Sequence, residues 1–221
     1  MANPKRSESY HHGSLRDSLV DLAIEKLDAG AEAGDLSIRA LATELGVSIG
    51  APYRHFPTAE ALIAAIGARG FSLLVDRMRG AVSRASSGDG AGEAVPGDDA
   101  DEGTGPGALL ERLGMAYVRF ASDRPSLYRA MFAVPVRSLD RYPILAAAGR
   151  EAYAILADAV AAFQATRHDK GHDARMSPEE GSVAAWAFVH GLAGLVSGSL
   201  VSGAGDDESL RHLMTALTRG L

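Results

Sequence analysis

The side chains that most often carry covalent chemistry in enzymes are absent from this chain or poorly arranged in it. Cysteine is missing altogether, which excludes disulfides, thiol catalysis and cysteine-based zinc sites. Serine, histidine and acidic residues occur, but without a nucleophile elbow, a metal-ligand spacing or a phosphate loop. His11 and His12 are adjacent, yet they lack the third imidazole partner that a zinc site would need. We therefore expect no enzyme, no metal site and no cofactor.

The pattern between Ser37 and Phe56 favours DNA binding instead. It runs SIRALATELGVSIGAPYRHF, which predicts a helix, a sharp turn at Gly46 and a second short helix that ends in an aromatic residue. Such a pair places its second helix in the major groove of DNA while the first crosses the backbone. Val47 and Phe56 would anchor the second helix, so the side chains on its outer face would be Ser48, Gly50, Ala51, Tyr53, Arg54 and His55.

The elements that position this pair follow from apolar spacing and capping residues. Apolar residues recur at helical intervals over about 15–28, with Ser14 as a candidate cap and Gly30 as a breaker. Ser37 caps the next helix, and Gly46 suits the left-handed residue that would end it. Thr58 can then cap a long fourth helix that reaches about residue 85.

The remainder of the chain predicts further helices, so the expected fold class is all-α. Only 6% of the residues are aromatic, whereas Ala and Leu are frequent, which favours helices over strands. Proline marks several helix starts. The expected helices beyond the fourth cover about 108–122, 125–134, 143–166, 178–202 and 207–219.

The acidic net charge of −6 does not argue against nucleic acid, because it comes from one segment. Residues 86–107 hold six acidic residues and no basic one, and we expect them to form a flexible insertion. The rest of the chain is formally neutral. No apolar run is long enough to span a bilayer and no signal peptide is evident, so we expect a cytoplasmic protein without membrane contact.

The N-terminal sequence resembles the signature of TetR/AcrR-family regulators over about 60 residues. The residues that carry the resemblance are YHHGSLRDSLVDLA and SIRALATELGVSIGAPYRHFPTAEALIAAI. Later in the chain, Trp186, His190 and Gly191 resemble the Trp-His-Gly pattern of one C-terminal subclass, the WHG domain. The resemblance implies a three-helix DNA-binding domain over 1–57, joined by the long fourth helix to a helical-bundle domain for ligand binding and dimerisation over 58–221.

The resemblance also implies a mechanism and several roles. Such proteins bind a pseudo-palindromic, double-stranded DNA operator as homodimers through their last two helices. A small-molecule effector usually weakens DNA affinity, so the chain resembles a ligand-responsive repressor. Tyr53, His55, Arg39 and Thr58 are implied phosphate contacts.

Two departures from the family pattern affect the DNA contacts. Ala59 replaces a common lysine, a loss that Lys5 and Arg6 in the N-terminal arm would offset. Pro52 replaces a common leucine; it lacks an N–H and clashes with the carbonyl four residues earlier, so the recognition helix should begin near Gly50. Arg54 would be the one side chain able to make a bidentate contact with guanine.

The effector site is less defined by the sequence, and alternatives remain open. The candidate ligand contacts are aromatic residues and one histidine: Tyr117, Phe120, Tyr128, Phe132, Tyr153, Trp186 and His190. Trp186 and His190 equally suit a core, with His190 hydrogen-bonded inside it, and the other aromatic positions favour a core over a cavity. The scarcity of charge on the apolar faces favours a neutral, apolar or aromatic ligand. Two other functions compete: a helical interaction module that no longer binds DNA, and, least favoured, an enzyme in the C-terminal domain.

Overall fold

The computed structural model describes residues 15–87, 105–169, 176–200 and 206–220, and every regular element within these ranges is helical. The expected all-α class is therefore confirmed. Short 3₁₀ helices lie at Ala33–Asp35, Pro52–Arg54 and Val136–Arg141. The α-helices are α1 (Leu15–Asp28), α2 (Ile38–Glu44), α3 (Ala59–Ser87), α4 (Pro106–Asp123), α5 (Pro125–Met131), α6 (Pro143–Asp169), α7 (Pro178–Ser197) and α8 (Asp207–Gly220).

The boundaries of the N-terminal helices lie where the sequence predicts them. Gly30 and Gly46 adopt φ values of +99° and +69° directly after α1 and α2. In both cases the next residue closes a six-residue turn; after α2, the Val47 N–H donates to the Ala42 carbonyl at 3.0 Å. The Thr58 hydroxyl accepts from the Ala61 N–H at 3.1 Å and so caps α3. The candidate cap Ser14 lies outside the described residues.

Two C-terminal helices are shorter than expected. α5 ends at Met131 rather than near 134, because Pro135 disfavours helical backbone before it and a 3₁₀ helix that was not predicted follows at Val136–Arg141. α7 ends at Ser197 rather than 202. There Ser199 takes the left-handed conformation at φ +54°, and the Leu200 N–H donates to the Leu195 carbonyl at 3.0 Å. A serine thus does what glycine usually does at a helix end.

The long helix α3 joins the N-terminal helices to the rest of the molecule. It packs against α1 and also against α4, α5 and α6, while α4 also contacts α7 and α8. One continuous apolar core runs from Leu19 in α1 to Leu217 in α8. A division into domains at residue 57 stays a prediction, and the expected insertion at 86–107 lies mostly outside the described residues.

The helices of the C-terminal part approach one another closely. A Cβ at Gly114 in α4 would lie 2.3 Å from the Met214 sulfur of α8, so the two helices meet where α4 has no side chain. Within the described ranges, no helix combines the length and the apolar character needed to cross a membrane.

Candidate functional site

The predicted recognition helix is a single 3₁₀ turn rather than an α-helix. It spans Pro52–Arg54, and the Ala51 N–H donates to the Ser48 carbonyl at 3.0 Å. In an α-helix the Ser48 carbonyl would accept from the N–H of residue 52, which proline lacks. In the tighter 3₁₀ turn this carbonyl accepts from the Ala51 N–H instead. The expected start near Gly50 is therefore wrong by two residues: Pro52 is itself the first helical residue, and its ring is buried.

The side chains around this turn divide into anchors and an exposed face. Phe56 is 2% exposed and Arg16 lies over its ring, which confirms Phe56 as an anchor, whereas Val47 is only half-buried. Ile49, which the sequence analysis did not select, is 55% exposed beside the turn. Ala51 is half-buried, and Lys5 and Arg6 lie outside the described residues. The predicted DNA contacts that the structure places at the surface are Arg39, Ser48, Gly50, Tyr53, Arg54, His55 and Thr58.

Two arginines on this face are electrostatically uncompensated. Within the described residues, neither Arg39 nor Arg54 forms an ion pair. The neighbouring Lys26, by contrast, pairs with Glu44 at 2.6 Å, and Arg69 lies 3.5 Å from Asp21. Two guanidinium groups therefore remain available to an external anion beside the exposed Tyr53 and His55. We call the set Arg39, Ile49, Tyr53, Arg54, His55 and Thr58 the N-terminal face.

A second group of side chains meets inside the C-terminal part. The Tyr128 hydroxyl lies 2.9 Å from His190 Nδ1 and the Tyr117 hydroxyl 3.1 Å from the same atom. The two hydroxyl oxygens are 3.5 Å apart. These residues come from α5, α7 and α4, so three helices hold one imidazole nitrogen between two phenols.

Further aromatic rings surround this trio. Trp186 is parallel to His190 at a tilt of 7°, and the edges of Tyr117 and Tyr153 meet Trp186. Phe132 lies 4.6 Å from the His190 ring and is 37% exposed. We call the set Tyr117, Tyr128, Phe132, Tyr153, Trp186 and His190 the aromatic cluster.

The residues that meet in the aromatic cluster differ in two places from the predicted ligand contacts, which themselves stay a prediction. Phe120 is 3% exposed and makes no ring contact with the aromatic cluster, so it is a core residue. Phe71 of α3 was not predicted, yet its ring meets Phe132 edge-on at 5.2 Å. Its position far upstream in the sequence gave no signal for this contact.

Burial sets the protonation of the trio. It raises the pKa of Tyr128 to about 12 and the pKa of Tyr117 well above its usual value, where the neighbouring Tyr128 adds to the effect. Burial also lowers the pKa of His190 below its usual value. All three side chains are therefore neutral at neutral pH, and His190 combines the hydrogen bonding expected of a core residue with partial exposure.

The short helix α5 connects the aromatic cluster to the N-terminal helices. Tyr128 faces His190, while Arg129 donates through Nε and Nη2 to the Glu32 carboxylate, and the hydroxyl of the buried Ser126 donates to the same group at 3.1 Å. The hydrogen bond from Arg129 lowers the pKa of Glu32. At the start of α5, Arg124 makes a two-point ion pair with Asp28 at the end of α1.

The 3₁₀ helix Val136–Arg141 provides a second connection. The Arg141 guanidinium and the Tyr142 hydroxyl each donate to Glu60 Oε1 at 2.9 Å. Glu60 lies in the first turn of α3, two residues after Thr58 of the N-terminal face. Both connections run from the C-terminal part to α1, the loop after it and α3, which flank the predicted helix-turn-helix between Ser37 and Phe56.

The outer side of α7 carries a stripe of small and apolar residues. A Cβ at Gly191 or Gly194 would meet no atom within 4 Å, and Val183 is 60% exposed. Ala187 is exposed between them. The four residues Val183, Ala187, Gly191 and Gly194, here called the α7 stripe, recur at helical spacing and leave room for a close neighbour.

Comparisons with known proteins agree with this architecture. A family model described as the tetracyclin repressor-like C-terminal domain matches residues 110–217, a range that contains the whole aromatic cluster and the Trp-His-Gly residues. A search of curated proteins found no match.

Solved structures match over nearly the full length. A protein of unknown function from Rhodococcus sp. RHA1 is 28% identical, with 97% of this chain and 98% of that chain covered and a TM-score of 0.71. A regulatory protein of the tetR family from Rhodococcus RHA1 is 19% identical, with 94% and 97% covered and a TM-score of 0.61. AibR, solved with isovaleryl coenzyme A and operator DNA, is 13% identical, with 93% and 97% covered and a TM-score of 0.54.

Residues 110–217 match the tetracyclin repressor-like C-terminal domain, and nearly the whole chain shares the all-helical fold of TetR-family transcriptional regulators. Both findings agree with the family that the N-terminal resemblance predicted.

Proposed function

We propose that the chain is a ligand-responsive repressor that binds a palindromic operator as a homodimer through its N-terminal face. A small molecule at the aromatic cluster releases it from DNA. The observation that carries the DNA-binding half is a pair of exposed guanidinium groups, Arg39 and Arg54, beside exposed Tyr53 on the helix-turn-helix; neither group has an ion-pair partner among the described residues. Phosphate groups are the external anions that such a face would neutralise.

Arg54 and Ile49 are the candidates for base recognition. An arginine can form two hydrogen bonds to guanine, and an exposed apolar side chain can contact the methyl group of thymine. Because the recognition turn is short, few side chains reach the groove. Arg39, Tyr53, His55 and Thr58 would then position the protein on the backbone.

The effector half of the proposal rests on the aromatic cluster and on α5. A molecule that displaces Tyr128 or Phe132 would move α5, and with it Arg124 and Arg129, which are bound to Asp28 and Glu32. The N-terminal face would then shift relative to its partner in the dimer. The AibR complex, with a coenzyme A ester and operator DNA, supports the compatibility of this fold with both kinds of ligand.

The proposed homodimer forms through the α7 stripe. Its glycines allow two helix backbones to approach closely, and Val183 supplies apolar area that is otherwise exposed to water. A two-fold axis through the stripe would use the same patch on both subunits.

The experiment that tests DNA binding replaces two residues of the N-terminal face. We expect the double substitution Tyr53→Ala and Arg54→Ala to abolish retardation of a palindromic fragment from the gene's own promoter region. The parent should bind this fragment with a steep salt dependence, because phosphate contacts release counterions. The measurement is DNA affinity by fluorescence anisotropy at several salt concentrations.

The matched control is Arg150→Ala, which removes an exposed arginine of α6 that forms no ion pair within the described residues. It should leave DNA affinity unchanged, and sedimentation should show that both variants keep the parent's oligomeric state. Equal affinity of the double variant and the parent would refute the assignment of this face.

The short recognition turn also favours a second candidate, a helical interaction module that no longer binds DNA. Ala59 lacks the lysine that is common at this position, and Pro52 limits the turn to three residues. A selection from random double-stranded DNA distinguishes the two functions: a regulator enriches a palindrome, and an interaction module enriches no sequence.

A further inference from the structure

Arg16, in the first turn of α1, lies against the end of the recognition turn. Its guanidinium carbon is over the Phe56 ring, 5.5 Å from the ring centre, where the two groups attract each other. The Phe56 N–H donates to the Pro52 carbonyl at 2.9 Å, so this ring is fixed to the turn. α1 also contacts the turn directly. The Arg16 side chain is therefore held at a defined place on the helix-turn-helix.

This place is at the border of the N-terminal face. Phe56 follows His55 directly, and Thr58 is two residues further on, a span of at most about 7 Å. His55 and Thr58 are exposed members of the N-terminal face. A third guanidinium group, which comes from another helix than those of Arg39 and Arg54, therefore lies close to the part of the face that His55 and Thr58 form.

The start of α3 beside Thr58 brings no positive charge of its own. Its first residues are Ala59 and Glu60, followed by two further apolar residues. Arg141 approaches this turn from the C-terminal part, but its guanidinium donates to Glu60 at 2.9 Å and so compensates that carboxylate. Arg16 supplies a cation where the first turn of α3 has none.

The guanidinium of Arg16 is available to an external anion. Its side chain is 41% exposed, and its ion pair with the neighbouring Asp17, at 3.7 Å, is longer than a hydrogen bond. An exposed ion pair of this kind contributes little to stability, so another anion can replace the carboxylate. The N–H groups of a guanidinium point outward in its plane, and packing over a ring does not consume them.

We propose that Arg16 contacts a phosphate of the DNA backbone, with Phe56 as the platform that positions its guanidinium. A phosphate can accept two N–H groups of one arginine at once, which suits a guanidinium that is already held in place. The contact reads no base, so it contributes to affinity and not to sequence preference. This inference rests on the proposed DNA-binding function and adds to its interface a residue from outside the helix-turn-helix.

The salt dependence of DNA binding tests the contact. Arg16→Met removes the charge but keeps an unbranched apolar stem that can cover Phe56. Each phosphate neutralised on B-form DNA contributes about 0.9 to the slope of log affinity against log salt concentration, so the slope should fall by about 1.8 for a dimer. The measurement is fluorescence anisotropy of the labelled promoter fragment with the full chain at several salt concentrations. An unchanged slope would overturn the proposal.

Two further variants show whether the charge of Arg16 is responsible. Arg16→Lys keeps the charge and should keep the slope of the parent, whereas a purely structural role of the guanidinium would be lost in both variants. Lys26→Met removes a cation near the other end of α1, where Glu44 already pairs with it at 2.6 Å, and should leave the slope unchanged. Equal losses in Arg16→Met and Arg16→Lys, or in Arg16→Met and Lys26→Met, would contradict the contact.

A second measurement uses the parent and does not depend on how a variant folds. Phenylglyoxal modifies exposed guanidinium groups, and peptide mass spectrometry gives the rate at each arginine. DNA should slow the modification of Arg16 and Arg54 but not that of Arg150, which is exposed on α6. Equal rates at Arg16 with and without DNA would place it outside the interface.

The same experiments distinguish this inference from the proposed function. If the parent binds DNA and Arg54 is protected, while Arg16 is unprotected and Arg16→Met keeps the slope, the contact is refuted and the regulator stands. If the parent binds no DNA at any salt concentration, the proposed function is refuted and the contact with it.

Discussion

His190 shows how a single residue can serve both packing and binding. Its Nδ1 is held by Tyr117 and Tyr128, while its ring remains partly exposed next to Phe132. The sequence analysis left open whether this histidine packs or lines a pocket. Its hydrogen bonds with Tyr117 and Tyr128 agree with the packing alternative, whereas contact with a ligand stays a prediction.

The lowered pKa of His190 predicts an acid-sensitive stability. The unfolded chain protonates its histidines at about pH 6.5, but folded His190 binds a proton only at lower pH. Between these two pKa values the unfolded state holds more protons, so the free energy of unfolding falls as the pH drops from about 7 through the folded pKa. Urea unfolding at a series of pH values, at constant protein concentration, measures this decline.

His190→Asn should flatten that decline, because asparagine has an acceptor for Tyr128 but does not titrate. His212 is exposed and provides the control: His212→Asn should keep the pH dependence of the parent. If both variants declined like the parent, another group would be responsible.

The helix-turn-helix shows the influence of a single element boundary. Gly46 ends α2 in a left-handed conformation and turns the chain toward Pro52, whereas Gly50 in the same turn region does not adopt a positive φ. Space is open around both residues. They therefore differ in backbone conformation rather than in crowding.

We predict that Gly46→Ala lowers the free energy of unfolding by about 1–2 kcal/mol, the usual cost of a left-handed conformation for a residue with a Cβ. Gly50→Ala should leave it nearly unchanged. Denaturant unfolding of the two variants, with circular dichroism as the signal, gives the comparison. A similar loss at both positions would show that the conformation of Gly46 is not the cause.

The short helix α5 links the aromatic cluster to the N-terminal helices because of where it lies in the fold. Its seven residues contact the aromatic cluster through Tyr128 and the loop after α1 through Ser126 and Arg129. The sequence predicted a helix here but not these partners. Glu32 is almost a hundred residues away in the chain, and no local pattern links it to Arg129.

At the scale of the whole molecule, the charge distribution separates two regions. The six acidic residues that account for the net charge of −6 all lie within 86–107, apart from the N-terminal face in sequence. Among the described residues, the arginines of that face form no ion pair, whereas Lys26, Arg69 and Arg141 each pair with a carboxylate. A local measure of charge therefore describes the candidate DNA contact better than the net value.

The proposed dimer gives a prediction at the same scale. Gly191→Glu should dissociate it, because a two-fold axis through the α7 stripe would bring two carboxylates together where helices approach closely. Ala154→Glu, at an exposed position of α6, is the control and should remain dimeric. Sedimentation velocity measures the outcome, and a dimer of unchanged stability in Gly191→Glu would place the interface elsewhere.

The sequence by itself determined the class and the local elements. Helical spacing, capping residues and glycines at helix ends depend on neighbours within a few residues, so α1, α2 and the start of α3 were predicted closely. Pro52 revealed a shortened recognition segment, although not its 3₁₀ form. The match of residues 110–217 to a family model also comes from the sequence alone, and it identifies the type of the C-terminal domain.

Only the tertiary structure decided which residues meet. Tyr117, Tyr128 and His190 converge because the packing of α4, α5 and α7 brings them together across up to 73 residues of chain. The same packing brings the ring of Phe71 into contact with Phe132 and keeps Phe120 in the core. Helical periodicity gives the face on which a residue lies, but the partner of that face depends on how the helices pack against one another, which no local pattern encodes.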